Sequence, residues 1–388
     1  MEALEGIKIL DLGRLLPFEY TTVILGDLGA DVLKIEEPKH GDYMREMPPI
    51  NKKENIIFQM LNRNKKSMTL DLKKDKGKEI FLQLVKEYDV VFEGFRPKVM
   101  EKLGLGYERL KEINTKLIYC AATGYGQYGS YSQKPGHDIN YISIAGILGT
   151  TGLDKPVIPG IPIADMTIGV YSALSILAAI IAREKSGEGQ YIDISMTDCM
   201  LSFNIVNIAN YLVENKDAPI LDLRGGLPNY NVYETRDGKY ISMGNLEYKF
   251  WKNFCDTVGR KDLIEEYESN LIDEKKEYLK NEIQKIFKEK NRDEWIKLFE
   301  GVDTCITPVY SIEETLEDRL FKEREMITEV YHPIEGKVKQ IASPIKFSKT
   351  KQKIKSYSPM LGEHTDLMLK SIGYDEKDIK YFRENNIV

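Results

Sequence analysis

The first third of the chain alternates short apolar runs with amphipathic stretches, and this alternation constrains the fold more than any other feature. GIKILDLG reads as a strand, Tyr20–Leu28 as a helix and ADVLKIEEP as a second strand. KSMTLDLK is a third strand, DKGKEIFLQLVKEYD an amphipathic helix and VVFEGF a fourth strand. A helix starts over Lys98–Leu103, and KLIYCAATGYG is a further strand. Strands separated by helices pair in parallel, with the helices covering the faces of the sheet. Such sheets bind ligands beyond the carboxyl ends of their strands. The loops Arg14–Pro17, Glu36–Gly41, Gly94–Pro97 and Gly124–Gly136 are therefore the candidate ligand loops.

No GxGxxG follows the first strand, and no GxxxxGK[ST] occurs. DLGRLLPFEY lacks the glycines that let a pyrophosphate approach the backbone. The pattern is Rossmann-like without the fingerprint of an NAD or ATP binder. Residues 165–183 form a long apolar helix, and QYIDISMTDCMLSF begins as a strand and runs into another helix. Near residue 225 the pattern changes. NVYETRDGKYISMGN reads as a hairpin turning at Asp237-Gly238, FWKNFCDTVG as a helix, and 275–300 as charge-rich amphipathic helix with Trp295, Leu298 and Phe299 on one face. VKQIAS and LGEHTDLMLKSIGY return to strand and helix. The expected architecture is α/β: a Rossmann-like, parallel-sheet large domain over 1–224, a smaller α+β domain over 225–330, and a tail over 331–388.

The net charge of −6 over 388 residues, with both signs mixed throughout, lacks the basic footprint of a nucleic-acid binder. Cys120, Cys199, Cys255 and Cys305 stand far apart, with no CxxC and no Cys/His spacing. Free thiols in a reducing cytoplasm are expected, and a metal site is not. The opening MEALEGIKILDLG has no signal-peptide pattern. Met166–Ile181 is apolar but falls short of the ~20 residues that span a bilayer. It also runs directly from Asp165 to Arg183, so a buried core helix is expected rather than a membrane span.

That helix carries an acid at its head. Asp165 as an N-cap would accept hydrogen bonds from the first free N–H groups, and the helix dipole would add ~0.3–1 kcal/mol. The same position would keep a reactive carboxylate ionised beside Ile161, Ile163 and Met166, where burial alone would neutralise it. The residues by themselves leave both roles open.

A series of motifs is similar to those of the class III CoA-transferases, the CaiB/BaiF family. LEGIKILDLG…LLP…TTVILGDLGADVLKIEEP is followed by EGFRPKVMEKLGLGY, GHDINYISIAGILGTTG, IADMTIG and GEGQYIDISMTD, then CITPV and LGEHTD. The resemblance spans essentially the whole chain. It implies an interlocked homodimer, each chain making a large and a small domain joined by two linkers, with the tail packed back onto the large domain. It also implies that Asp165 is a nucleophile. Its carboxylate attacks the carbonyl of an acyl-CoA, giving a mixed anhydride and CoA thiolate. The thiolate attacks the enzyme side of the anhydride, which releases the first acid and leaves an aspartyl-CoA thioester. An acceptor carboxylic acid then runs the steps in reverse and departs as a new acyl-CoA. Both intermediates hydrolyse, so water must be excluded. Gly225-Gly226 in LRGGLPNY is either a cover for them or a domain-linker turn.

CoA brings phosphates that need Lys, Arg or free backbone N–H groups. The resemblance places Leu70, Asp71, Leu72 and Lys73, with Gly94, Phe95 and Arg96, along the nucleotide and pantetheine path. It places Leu15 and Leu16 beside the thioester, Gly136, His137 and Asp138 in the same CoA site, and Lys102 at a phosphate. Where many relatives carry Arg after KIE, this chain has Glu37, and Lys39 is the expected substitute. CoA is a substrate in this scheme, and no tightly bound cofactor is implied.

The α-methylacyl-CoA racemases share these motifs and exchange the α-proton of an acyl-CoA between a His and an Asp. His137 and Asp165 supply that pair, and Glu247 in GNLE matches a further carboxylate of the racemase pattern. The Gly-rich run that follows the Asp in those enzymes is MTIG here, closer to the transferase form. Transfer is the expected activity and racemisation the alternative. A CoA-binding paralogue without turnover is a third reading, which the intact Asp165 opposes. Tyr230, Tyr233, Met243 and Met200 shape either the acyl pocket or the core.

Overall fold

The computed structural model describes residues 2–152, 155–215, 223–268 and 272–388. They form two compact units. Met1–Ala145, Pro159–Ser202 and Lys322–Val388 make the first, and Gly146–Ile158 with Phe203–Phe321 the second.

The first unit is built on six parallel strands: β1 (Lys8–Asp11), β2 (Asp31–Glu36), β3 (Lys65–Thr69), β4 (Val90–Glu93), β5 (Ile118–Thr123) and β6 (Tyr191–Ser195). Their order is β3-β2-β1-β4-β5-β6. Helices cover the sheet, and the central strands β4 (VVFE) and β5 (IYCAAT) are buried along their whole length. Ile9, Leu10, Val32, Leu33, Val90, Val91 and Ile118 are fully buried, each worth ~1.5–3 kcal/mol relative to exposure. The order reverses between β1 and β4, which pair with Ile9 opposite Val90. At such a reversal the connections leave to opposite faces and a crevice opens beyond the strand ends.

The sequence places the first helix over Tyr20–Leu28 and reads Arg14–Pro17 as loop. In the structure this helix runs over Leu15–Asp27. Pro17 falls in its first turn, where the missing N–H would have had no intrahelical partner, so the proline does not delimit the helix.

The long apolar helix, here the core helix, runs over Ile163–Ser186 and ends on Gly187 in the left-handed conformation, with Arg183 and Lys185 in its last turn. Its length and composition suffice to cross a bilayer, more than the sequence window suggests. Packing argues for the core role instead. Ala164, Ile168, Ala173, Ile176 and Ile180 are buried, against the Leu15–Asp27 helix, β5 and β6. Val170, Leu174 and Ile181 remain exposed.

The second unit carries an antiparallel sheet of β7 (Tyr230–Glu234), β8 (Tyr240–Gly244) and β9 (Ile306–Val309). The first two form the expected hairpin, turning at Asp237-Gly238. Residues 275–300 do not make one helix. Asp273–Phe287 and Arg292–Leu298 are separate. Glu294 Oε2 accepts the backbone N–H of Asn291 at 2.8 Å, starting the second helix afresh. Trp251, Phe254, Phe287, Trp295 and Phe299 fill the core beneath. Tyr233 and Met243 belong to that core, and Met200 is buried in the first unit.

The tail adds the hairpin β10 (Ile327–His332) and β11 (Gly336–Ile341) and then docks on the first unit. Thr69 N–H donates to Thr365 Oγ1 at 3.0 Å, His364 N–H to the Ser67 carbonyl at 2.8 Å, and Asp71 N–H to the Ile387 carbonyl at 2.8 Å. The chain end thus braces the loop that follows β3.

Candidate active site

The parallel sheet gathers the candidate residues at one edge. Leu15 and Leu16 follow β1, Lys39 follows β2, and Leu70–Lys73 follow β3. Gly94–Arg96 follow β4, Lys102 closes the short helix after it, and Gly136–Asp138 follow β5. Lys39, Lys73, Arg96 and Lys102 are exposed. Glu37 does not reach outward. Its Oε2 accepts the backbone N–H groups of His40 at 2.9 Å and Lys39 at 3.1 Å, which holds its carboxyl below the usual range and shapes the turn carrying Lys39. Asp71 likewise turns inward on its own loop, accepting the Lys73 N–H at 3.0 Å.

At the reversal between β1 and β4, Phe18 packs between two glycines. A Cβ on Gly13 would lie 2.6 Å from Phe18 Cβ, and one on Gly94 would lie 2.7 Å from its ring. Only glycine at both positions admits the ring. Arg14, at the head of the first candidate ligand loop but given no role of its own by the sequence, stands beside it with its guanidinium 5.8 Å from the Phe95 ring centroid. Its signal was positional: it is the exposed residue immediately before the first helix.

Asp165 is not the cap of the core helix. Pro162 holds the N-cap position, and Asp165 lies within the first turn. The free N–H groups of the helix head go to another carboxylate: Asp138 Oδ1 accepts from Ala164 at 2.6 Å and from Asp165 at 3.2 Å. Asp138 opens the Asp138–Ile144 helix and so ties two helices together. The Asp165 side chain accepts no hydrogen bond among the described residues. It is half-buried, and burial, reinforced by the Asp138 charge and opposed by His137, pushes its pKa up to about 6.

Tyr141 links this acid to the other loops. Its hydroxyl donates to the Gly136 carbonyl at 2.7 Å, and its ring meets Tyr125 edge-on at 5.1 Å. Burial raises its pKa to about 12, with the charges of Asp165, Arg96 and Asp138 all felt at the phenol. The Gly124 and Gly136 turns after β5 close onto the ring of Tyr141, a residue of GHDINY that carries no sequence signal of its own. His137 is exposed, with its backbone N–H donating to Asn140 Oδ1 at 3.0 Å.

Gly169, the last residue of IADMTIG, lies one turn or ~6 Å along the axis from Asp165. A Cβ there would fall 2.8 Å from Tyr20 Cδ1 and 3.2 Å from the Pro17 carbonyl oxygen. The glycine lets the core helix close onto the helix that begins with Leu15 and Leu16.

In the second unit Glu247 is exposed at the start of the Tyr248–Val258 helix. A cleft of about 570 Å³ in the same unit is lined by Arg224, Gly225, Tyr230, Asn231, Ser242 and Thr307 among others. Asn231 Nδ2 donates to the Gly225 carbonyl at 2.8 Å and shapes the glycine turn. No group of three or more His, Cys, Asp or Glu among the described residues could hold a metal ion.

The sequence pattern of CoA-transferase family III matches residues 4–365. Human succinyl-CoA:glutarate CoA-transferase is 33% identical, over 98% of this chain and 88% of that protein. Human alpha-methylacyl-CoA racemase is 31% identical, over 100% and 97% respectively. Among solved structures, a CAIB/BAIF family protein from Brucella suis matches with a TM-score of 0.86 at 30% identity, over 96% of this chain and 100% of that one. Sequence and fold agree over nearly the full length, and the chain belongs to CoA-transferase family III.

Proposed function

We propose that the protein transfers CoA from an acyl-CoA to a carboxylic acid, with Asp165 as the nucleophile. The observation that carries this reading is that the Asp165 carboxylate accepts no hydrogen bond among the described residues. Half-buried carboxylates normally accept hydrogen bonds, and the one structural duty at this helix head belongs to Asp138. With its pKa near 6, Asp165 is mostly ionised at neutral pH while poorly solvated, which suits a carboxylate that must bond to carbon. The acyl carbon leaves sulfur for an Asp165 oxygen, and the CoA thiolate then takes the Asp165 carbonyl while the first acid departs. The acceptor acid reverses both steps. In this reading Lys39, Lys73, Arg96 and Lys102 meet the CoA phosphates, Leu70 and Gly94–Phe95 flank the pantetheine arm, and Leu15, Leu16 and the Gly136–Asp138 turn border the thioester. The exposed apolar residues Val170, Leu174 and Ile181 of the core helix support a homodimer, whose mass in solution can be measured by light scattering.

One observation favours a second reading. His137 lies near enough to Asp165 to draw its pKa downward, as an acid/base pair for racemisation requires, and Glu247 would then be a further carboxylate. Incubation with a panel of acyl-CoAs in D₂O, with and without carboxylic acids, separates the two by mass. A new acyl-CoA that depends on the added acid supports transfer. Deuterium at the α-carbon with no exchange of CoA supports racemisation and rejects transfer. Neither product across the panel rejects both and leaves a CoA-binding role.

A further inference from the structure

Behind Leu15 lies a set of buried charges that the transfer chemistry does not use. Lys34, on β2, is fully buried. Its Nζ donates to the Gly13 carbonyl at 2.7 Å and to Asp42 Oδ2 at 3.1 Å, and lies 3.3 Å from Glu19 Oε1. Asp42 Oδ2 also accepts the backbone N–H of Leu15 at 3.1 Å. Asp42 is itself fixed: its Oδ1 accepts the Met44 N–H at 3.0 Å, and its own N–H donates to Glu36 Oε2 at 3.1 Å. Leu15 is the strained residue between these anchors. Its φ is +66°, a left-handed conformation that a leucine keeps only where its surroundings impose it.

Glu19, Asp42, Asp11 and Glu36 face Lys34, Lys65 and Arg45. Lys65 Nζ lies 3.4 Å from Asp11 Oδ2, and Arg45 holds Glu36 through two N–H groups at 2.7 and 2.9 Å. Burial pushes Glu19 up to about 8, so it carries a proton at neutral pH, and Arg45 also pairs with Glu54 at 2.8 Å. Although burial works against it, Asp42 is kept at about 2 by Lys34, which makes it the ionic partner of that lysine. Besides its contact with Lys34, the Glu19 carboxyl shares a hydrogen bond with Asp42, which raises Glu19 and lowers Asp42. An apolar core would be as stable as such a network. What the network adds is direction, through one donor and one acceptor aimed at the same loop.

We propose that Lys34 and Asp42 are positioning residues that hold Leu15 in its left-handed conformation and so set the loop Gly13–Leu16 at the angle the CoA thioester needs. This rests on the reading of the site given above. Glycine adopts φ +66° without strain, so Leu15→Gly removes the need for the anchors; the loss it causes by itself, through the missing side chain at the thioester, is measured first and each double variant is compared with it.

The test compares Asp42→Asn and Lys34→Met, each alone and combined with Leu15→Gly, by thioester-exchange kinetics and by backbone amide hydrogen exchange. Alone, each substitution lowers kcat ~10–100-fold, the cost of a misplaced contact of about 1 Å, with KM for the acyl-CoA changed less than about threefold. In the Leu15→Gly background the same substitution costs less than about threefold more. Amides 13–16 exchange faster in the single variants while those of β1, β2 and β4 keep their protection. Unchanged kcat together with unchanged exchange at 13–16 overturns the proposal. So do equal losses in both backgrounds, which would mark a general loss of stability. Should Lys34→Met fail to fold, the isosteric Asp42→Asn carries the comparison. A wild-type protein that shows no thioester exchange would remove the functional reading, and the amide measurement alone would then decide whether the anchors hold the loop.

Discussion

Asp138 Oδ1 accepts the backbone N–H of Asp165 at 3.2 Å, so the two carboxylates at the head of the core helix have separate duties. Asp138 satisfies the helix. Asp165 is left with a carboxylate that answers to no structural partner among the described residues, held beside a second negative charge. That arrangement is unfavourable for the fold and useful for a nucleophile, and it can be tested at both levels.

The chemical test is replacement of Asp165. If Asp165 forms the acyl bond as proposed, Asp165→Ala and Asp165→Asn should each lower acid-dependent CoA exchange by at least ~10³-fold. Hydroxylamine, which traps an activated carboxyl, should modify residue 165 in the wild type incubated with acyl-CoA and in neither variant. Peptide mass spectrometry reads that modification.

The pH profile follows from the Asp165 pKa of about 6. The protonated acid cannot attack, so kcat/KM should fall below pH 6 and be flat above about pH 7. Asp138→Asn keeps an oxygen for the Ala164 and Asp165 N–H groups and removes the charge that helps to raise the pKa. The acidic limb should then move to lower pH by ~0.5–1 unit. A limb that stays in place would show that burial alone sets it.

Stability should move in the opposite direction to activity. The folded pKa of Asp165 lies above its ordinary value of 3.8. Its proton therefore favours the fold, fully so below pH 3.8, and that contribution is lost as pH rises through about 6. Above that pH the ionised side chain is a net cost. Asp165→Asn should raise stability at pH 8 by about 1–2 kcal/mol, discounted for its partial exposure from the ~1.4 kcal/mol per pKa unit, and by much less at pH 4. Denaturant melts at the two pH values measure the difference.

Gly169→Ala tests the helix contact behind the site. The added methyl would meet Tyr20 and the Pro17 carbonyl at 2.8 and 3.2 Å, forcing the Leu15–Asp27 helix outward. We expect a loss of ~1–3 kcal/mol from overpacking, together with a drop in kcat as Leu15 and Leu16 shift. Full activity with unchanged stability would mean that the two helices can slide without disturbing the site.

Much of the fold was legible because its strands are buried on both faces and separated by helices, a pattern with few solutions. VVFEGF reads as a strand because it is a short, mostly apolar run, and ADVLKIEEP because Val32, Leu33 and Ile35 are apolar and β-favouring between turn signals; both are strands of the parallel sheet. The start of the first helix was not legible, because Pro17 looks like a boundary and Leu15 adopts a φ that no leucine advertises. The helix break before Arg292 was hidden for a related reason: the apolar spacing on either side is continuous, and only the Asn291–Glu294 cap interrupts it. In the site, Asp165 stood out as an acid on an apolar helix. Asp138 did not, since its duty is to a helix that begins well beyond it in sequence. Tyr141 and Arg14 went unassigned because an isolated tyrosine or arginine carries no pattern.

The order of residues alone determined the alternation of strands and helices, the loops at the strand ends, and the lone acid at the head of the apolar helix. These follow from local periodicity and composition, which need no knowledge of neighbours. The folded chain decided which carboxylate caps and which is left unengaged, how far the pKa of Asp165 rises, and why Leu15 is held in a strained turn. Those depend on distances between segments that meet only when the sheet assembles, where burial and nearby charge act through space rather than along the chain.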